Sequence, residues 1–338
     1  MERGEAPMKH ALTLLFASAI ACLSAGADAA AYSNLYVFGD SLSDVGNNFI
    51  ALGGATTPQS AITGNNFVPD LAPYASQHYS NGAIWAQDFA SALHLPAVTP
   101  SLATGNDFAF GGARTSSPNP PPAGTAPGLN LQVGAFLSGL SGAPAPSTGL
   151  YIVAGGGNNA RDAAAEIVGG ADPITTVTNT AKDYAKDITT IVGQLEGAGA
   201  QHIVVWNVPD IGQTPYVRSF GQVASAGASF LASSMNDALD LALKGDKKVK
   251  IFDLFGAVDA VIDNPAAFGL TNVTDACGQF SNCDPSKYLF WDGIHPTSEG
   301  HLLIADALLR TVVPEPSAFV TAVIGFLLLA AVPMRRRH

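Results

Sequence analysis

The sequence predicts an α/β/α sandwich built on a mostly parallel, five-stranded sheet, and two patterns carry that expectation. Five apolar runs recur along the 338 residues: "LYVFGD" (35–40), "DFAFGG" (107–112), "LYIVAGGGN" (150–158), "HIVVWNVPD" (202–210) and "KVKIFDLFG" (248–256). Most are near-continuous rather than alternating, as expected of strands buried on both faces of a parallel sheet. Stretches of helical period lie between them, and parallel neighbours need such crossovers.

Taken in order, the first run ends abruptly in a polar turn, with Gly39, Asp40, Ser41, Ser43, Asp44, Gly46, Asn47 and Asn48 inside ten positions. Gly, Asp, Asn and Ser serve turns for backbone reasons alone, so the composition by itself is no sign of chemistry. "IWAQDFASALHL" places Trp85, Phe89 and Leu93 four apart, on one helical face. Residues 115–128, "TSSPNPPPAGTAPG", have no period and read as a surface loop. "TAKDYAKDITTIVGQLEGAGA" and "ASFLASSMNDALDLALKGD" are longer helical stretches with glycine-containing stops. No internal repeat interrupts this alternation, and one large domain is the simplest division.

With 47% hydrophobic and 13% charged residues, the chain can bury a sizeable core. A formal net charge of −11 argues against nucleic acid as a partner, which needs a basic stripe. Residues 1–29 read as a secretory signal peptide, with Lys9, an apolar stretch from Ala11 to Leu23 and a small-x-small site at Ala27–Ala29. At the other end, residues 313–338 place Pro314-Glu315-Pro316 before an apolar run, Ala318 to Val332, and then Arg335, Arg336 and Arg337. That run is short for a spanning helix of about 20 residues. The ordered triplet resembles the PEP-CTERM sorting signal of Gram-negative bacteria. The resemblance implies transient anchoring in the inner membrane, a cut near Pro314-Glu315-Pro316 by an exosortase-type processing enzyme, and an exported body spanning 30–312. Cys277 and Cys283 remain in that body, and in an oxidising compartment a disulfide between them is the expectation.

A nucleophilic serine needs a base, a group that orients the base, and donors for the oxyanion. In a parallel sheet such groups gather beyond the carboxyl ends of the strands. Ser41 lies just past the first run, Gly111-Gly112 end the second, and the third ends in Gly155-Gly156-Gly157-Asn158-Asn159. Among the histidines of the body, His94 and His202 flank apolar elements, His301 falls on the last helix, and His78 lies in a loop without an evident partner. His295 differs, because Asp292 precedes it by three positions and Pro296 stiffens the turn that follows. A carboxylate so placed can hold the tautomer of the imidazole. The sequence shows no metal-ligand spacing, and no cofactor is expected.

"GDSLSDVGNN", "DFAFGGART", "GGGNN" and "DGIHPTSEGH" resemble, in order, the four blocks of the GDSL or SGNH hydrolases. "SNGAIWAQDFA" and "NVPDIGQTP" resemble connecting segments of the same family, so the likeness runs from about residue 35 to 310. It implies a flavodoxin-like five-stranded sheet and a carboxylic ester hydrolase, an esterase or lipase, working through an acyl-enzyme. Ser41 would be the nucleophile, His295 the general base and Asp292 its orienting acid. Gly112 and Asn158 would join the Ser41 amide as the oxyanion hole, with Gly111 the competitor of Gly112. Asn159 departs from the family's usual Asp and puts the rigidity of that loop in question. Asp40, Asp44 and Asn47 are expected to stabilise the turn. An acetyl esterase acting on exopolysaccharide and a non-catalytic surface protein are the alternatives.

Overall fold

The computed structural model describes residues 32–67, 69 and 71–313. The expected signal peptide, 1–29, and all but Val313 of the expected sorting tail, 313–338, lie outside them. Among the described residues no helix is long and apolar enough to cross a membrane. Residues 32–311 form one compact unit.

Four parallel strands make the main sheet, in the order β1 (Asn34–Gly39), β2 (Gly149–Ala154), β3 (His202–Trp206) and β4 (Val249–Phe252). Leu35 pairs with Leu150, Leu150 with His202, and Ile203 with Val249. All six residues of β2 are buried, which explains its continuous apolar run.

Among the described residues the helices are α1 (Asn47–Ala51), α2 (Trp85–Ala92), α3 (Leu129–Gly139), α4 (Gly157–Val168), α5 (Pro173–Ala198), α6 (Pro215–Arg218), α7 (Gln222–Ala242), α8 (Leu254–Asp263) and α9 (Ser298–Val312). Side chains alternate across the strands and sort to the two faces. Phe38, Tyr151, Val153, Ile203 and Val205 enter one core with residues of α3, α4, α5 and α7. Trp206 points to the other face, where its ring lies 4.5 Å from that of Trp85 on α2. The longest helix, α5, begins where Asp172 accepts the Thr175 N–H with Pro173 at its first position. It stops at Gly199, whose φ of 113° suits glycine. Tyr184, Ile188, Ile191 and Leu195 recur at helical spacing on its buried face.

The expected fifth strand, 107–112, is not a strand. The segment does run beside β1: Phe108 N–H donates to Val37 O at 2.8 Å, Phe110 N–H to Gly39 O at 3.2 Å, and Val37 pairs with Asp107 in one parallel bridge. Side-chain carboxylates then compete for its backbone. Asp107 accepts the Ala109 N–H at 3.0 Å, Asp44 accepts the Gly111 N–H at 2.9 Å, and Gly112 turns away with φ 84°. A second, two-stranded parallel sheet joins β5 (Asn272–Ala276) to β6 (Tyr288–Phe290). The Cys277–Cys283 disulfide lies between these strands in the sequence, and Cys277 is buried against Tyr74 and Trp291.

Candidate active site

The turn after β1 is held by carboxylates. Gly39 is needed where the two strand ends meet, since a Cβ there would stand 2.7 Å from Ala154 O and 2.9 Å from Ser43. The Ser43 and Asp44 N–H groups both donate to Asp40 O, while Asp40 Oδ1 accepts the Leu42 N–H at 3.1 Å. Asp44 accepts four backbone N–H groups, from Gly46, Asn47, Asn48 and Gly111. It therefore fixes the turn, starts α1 and ties both to the 107–112 segment. Burial pushes the Asp40 and Asp44 carboxyls up to about 6 against the pull of those N–H donors. Asp107 is raised well above the usual carboxylate range by its burial and then by the charge of Asp44. Ser41 stands on this rigid turn with 9% of its surface exposed.

A second loop approaches from beyond β6. Trp291 N–H donates to His295 O at 2.8 Å and closes the turn that brings Asp292 beside His295. Asp292 Oδ1 accepts the Ile294 and His295 N–H groups at 2.8 and 2.7 Å. Its Oδ2 lies 2.7 Å from His295 Nδ1, and the Tyr74 hydroxyl donates to the same oxygen at 2.7 Å. His295 Nε2 then stands 2.9 Å from Ser41 Oγ. Asp292 is fully buried and His295 is 2% exposed, so a chain of hydrogen bonds runs from carboxylate to hydroxyl out of bulk water. With Nδ1–H donated to the carboxylate, Nε2 can accept the serine proton.

Hydrogen bonds join the segment after Gly112 to the first turn of α4, which carries Asn158. Gly111 gives its N–H to Asp44, and a Cβ on it would overlap the Tyr79 ring. Gly112 has open space where a Cβ would project, so its positive φ and not crowding calls for glycine. Among the described residues neither the Gly112 nor the Ser41 N–H has a protein acceptor. Asn158, buried in the first turn of α4, donates from Nδ2 to Ala113 O at 2.9 Å, which uses one of its two amide protons. Asn159 binds Thr115 at both ends, accepting its N–H at 3.1 Å and donating to its hydroxyl at 3.1 Å. Asn at this position therefore clamps the Thr115 loop to the first turn of α4. Arg114 adds a bidentate pair with Asp162 at 2.8 Å and donates to Gly112 O.

The remaining histidines stay apart from this chain of bonds. His78 does have a partner, Gly82 O at 2.9 Å from Nδ1, and is buried. His301 is fully buried on α9 with neither ring nitrogen hydrogen-bonded, and burial lowers its pKa to about 3. Among the described residues no group of His, Cys, Asp and Glu gathers as a metal site. Sequence reading misses Tyr74, which lies 218 positions from Asp292 in a loop with no motif of its own. It also misses Asp107, whose carboxylate binds the Val45 N–H at 2.9 Å.

Residues 35–308 match the model of the GDSL-like lipase/acylhydrolase family, and the chain belongs to that family. It is 30% identical to the esterase EstA of Pseudomonas aeruginosa over 87% of this chain and 49% of that protein. A GDSL esterase/lipase of Arabidopsis thaliana is 28% identical over 83% of this chain and 86% of its own. A phosphatidylcholine-sterol acyltransferase of Aeromonas hydrophila is 26% identical over 73% of this chain and 66% of its own. The chain thus spans about half the length of the Pseudomonas esterase.

Proposed function

We propose that the protein hydrolyses carboxylic esters through an acyl-enzyme, with Ser41 as nucleophile, His295 as general base and acid, and Asp292 as the group that orients His295. The observation that carries this reading is the unbroken sequence of bonds Asp292 Oδ2–His295 Nδ1 and His295 Nε2–Ser41 Oγ, at 2.7 and 2.9 Å. Ser41 Oγ attacks the ester carbonyl carbon while Nε2 takes its proton. The N–H groups of Ser41 and Gly112 and the second amide proton of Asn158 receive the developing oxyanion. Collapse expels the alkoxide, which takes the proton from the imidazolium and leaves as alcohol. Water then attacks the acyl-serine with His295 as base, releasing the acid and restoring Ser41. Membership of an esterase family supports the ester as substrate.

The test is hydrolysis of a soluble 4-nitrophenyl ester by the wild type and by Ser41→Ala. The reading requires turnover by the first and its near-complete loss, without unfolding, in the second. Turnover that survives Ser41→Ala would overturn it.

Export completes the proposal: loss of residues 1–29, then a cut near Pro314-Glu315-Pro316 that removes the arginine cluster. An oxidising destination suits the Cys277–Cys283 bond. Intact-mass analysis of the exported protein should place the C-terminus near residues 313–317. A mass that still includes Arg337 would contradict it.

A further inference from the structure

Three aromatic rings lead from the imidazole to the surface. Phe67 lies 6.1 Å from His295 between ring centroids, Tyr216 lies 6.2 Å from Phe67, and Phe220 lies 5.0 Å from Tyr216. Phe67 and Tyr216 are half-buried, whereas Phe220 is 64% exposed and Val223, close by in sequence, is 89% exposed.

The path is also tied to the catalytic loop by its backbone. Gly293, between Asp292 and His295, donates its N–H to Asn66 O at 3.0 Å and accepts the Tyr216 N–H at 2.8 Å. A Cβ at Gly293 would overlap the carbonyls of Asn65 and Asn66, so only glycine allows both bonds. One residue therefore fixes Phe67 and α6 relative to His295. The Arg161 guanidinium, 4.6 Å above the Phe67 ring centroid, further holds that ring. The small cavity beside the nucleophile turn, lined in part by Asp40, Leu42, Gly157 and Trp206, holds only about 20 Å³. That is room for one water and none for a hydrocarbon chain.

We infer that Phe67, Tyr216 and Phe220 form the subsite for an apolar chain of the ester, so that the enzyme prefers esters of long hydrocarbon chains to acetyl esters of polar alcohols. This rests on the ester-hydrolase reading and selects a substrate class within it. A hydrocarbon lying on the row leaves water along its length, at about fourfold in binding for each methylene fully buried. A glycan acetate places one methyl group beside Ser41 and gains nothing from Phe220.

Two homologous series of monomeric esters test this, one lengthened on the acyl side and one on the alcohol side, from two to ten carbons. The expected result is a rise in kcat/KM of tenfold or more along one series. In Phe220→Ala, folded by circular dichroism, the ratio of ten-carbon to two-carbon kcat/KM should fall about fivefold, with Phe220→Leu recovering most of it. Phe230→Ala, equally exposed two turns into α7, should keep the wild-type ratio. Flat profiles in both series, or an unchanged ratio in Phe220→Ala, would overturn the subsite while leaving the esterase reading intact. Absence of turnover on every ester would overturn the esterase reading itself.

Discussion

Tyr74 donates its hydroxyl to Asp292 Oδ2, the same carboxylate oxygen that lies against His295 Nδ1. With the Ile294 and His295 N–H groups on Oδ1, the buried carboxylate has three further donors besides the imidazole. A fully buried Asp292 without them would carry a large desolvation penalty. The arrangement thus binds a loop near residue 74 to the chemistry near residue 292.

Tyr74→Phe removes one donor and keeps the ring against Trp291. A hydrogen bond to a charged group contributes about 1.5–3 kcal/mol, and stability should fall by that order. Because the carboxylate orientation is loosened as well, kcat should fall about tenfold, near 1.4 kcal/mol of barrier. Chemical denaturation and steady-state kinetics on one preparation check both. Unchanged kcat with reduced stability would make Tyr74 a structural residue only.

Asn158→Ala should lower kcat by ~10²–10³-fold, the loss usual for one oxyanion donor. KM should move little, because the amide serves the transition state more than the ground state. The same substitution leaves Ala113 O without its 2.9 Å donor, so a modest fall in melting temperature accompanies it. A change confined to KM would mark Asn158 as a ground-state binding residue.

Replacing both Cys277 and Cys283 by Ala opens a ring of only a few residues. The chain-entropy model limits the loss to about 2–3 kcal/mol. Because Cys277 packs against Tyr74 and Trp291, the change should also slow turnover through the Asp292 loop. Denaturation and kcat measured together test this, and a variant equal to wild type in both would exclude a supporting role for the bond.

Stability should respond to pH through opposing groups. His301, lowered from 6.5 to about 3 by its burial and then by the neighbouring His295 and His78, takes up its proton in the unfolded chain first. Its contribution is complete above pH 6.5 and is lost as pH falls toward 3. Asp40 and Asp44, raised by burial from 3.8 to about 6, act in the other direction. Their contribution is complete below 3.8 and is lost as pH rises through 6. His301→Leu should therefore gain stability relative to wild type on acidification, by at most about 1.4 kcal/mol per pH unit. Urea denaturation at several pH values between 7 and 4 tests the sign. Parallel pH dependence in the two proteins would contradict it.

The sequence was most legible where local chemistry decides the structure. Four of the five apolar runs are strands: β1, β2 and β3 are largely buried, whereas β4 is an edge strand with Lys250 exposed. The turn residues around Ser41 and the Asp292–His295 spacing announced their loops because the hydrogen bonds within those loops are local. The 107–112 run misled because Asp44 and Asp107 take backbone N–H groups that a strand would use. Tyr74, Phe67 and Tyr216 carry no local signal at all. Their place beside His295 depends on how loops far apart in the chain fold over one another, and a single sequence does not record that.

The central claim is that Ser41 and His295 act as one unit, and covalent labelling reads it most directly. An alkyl phosphonate with a good leaving group should modify the wild-type protein once, with peptide mapping placing the adduct on Ser41. The labelling rate should collapse in His295→Ala, and the Ser41→Ala, His295→Ala double variant should hydrolyse esters little worse than either single variant. Absence of labelling in a folded, wild-type protein, or an adduct on any other serine, would contradict the account.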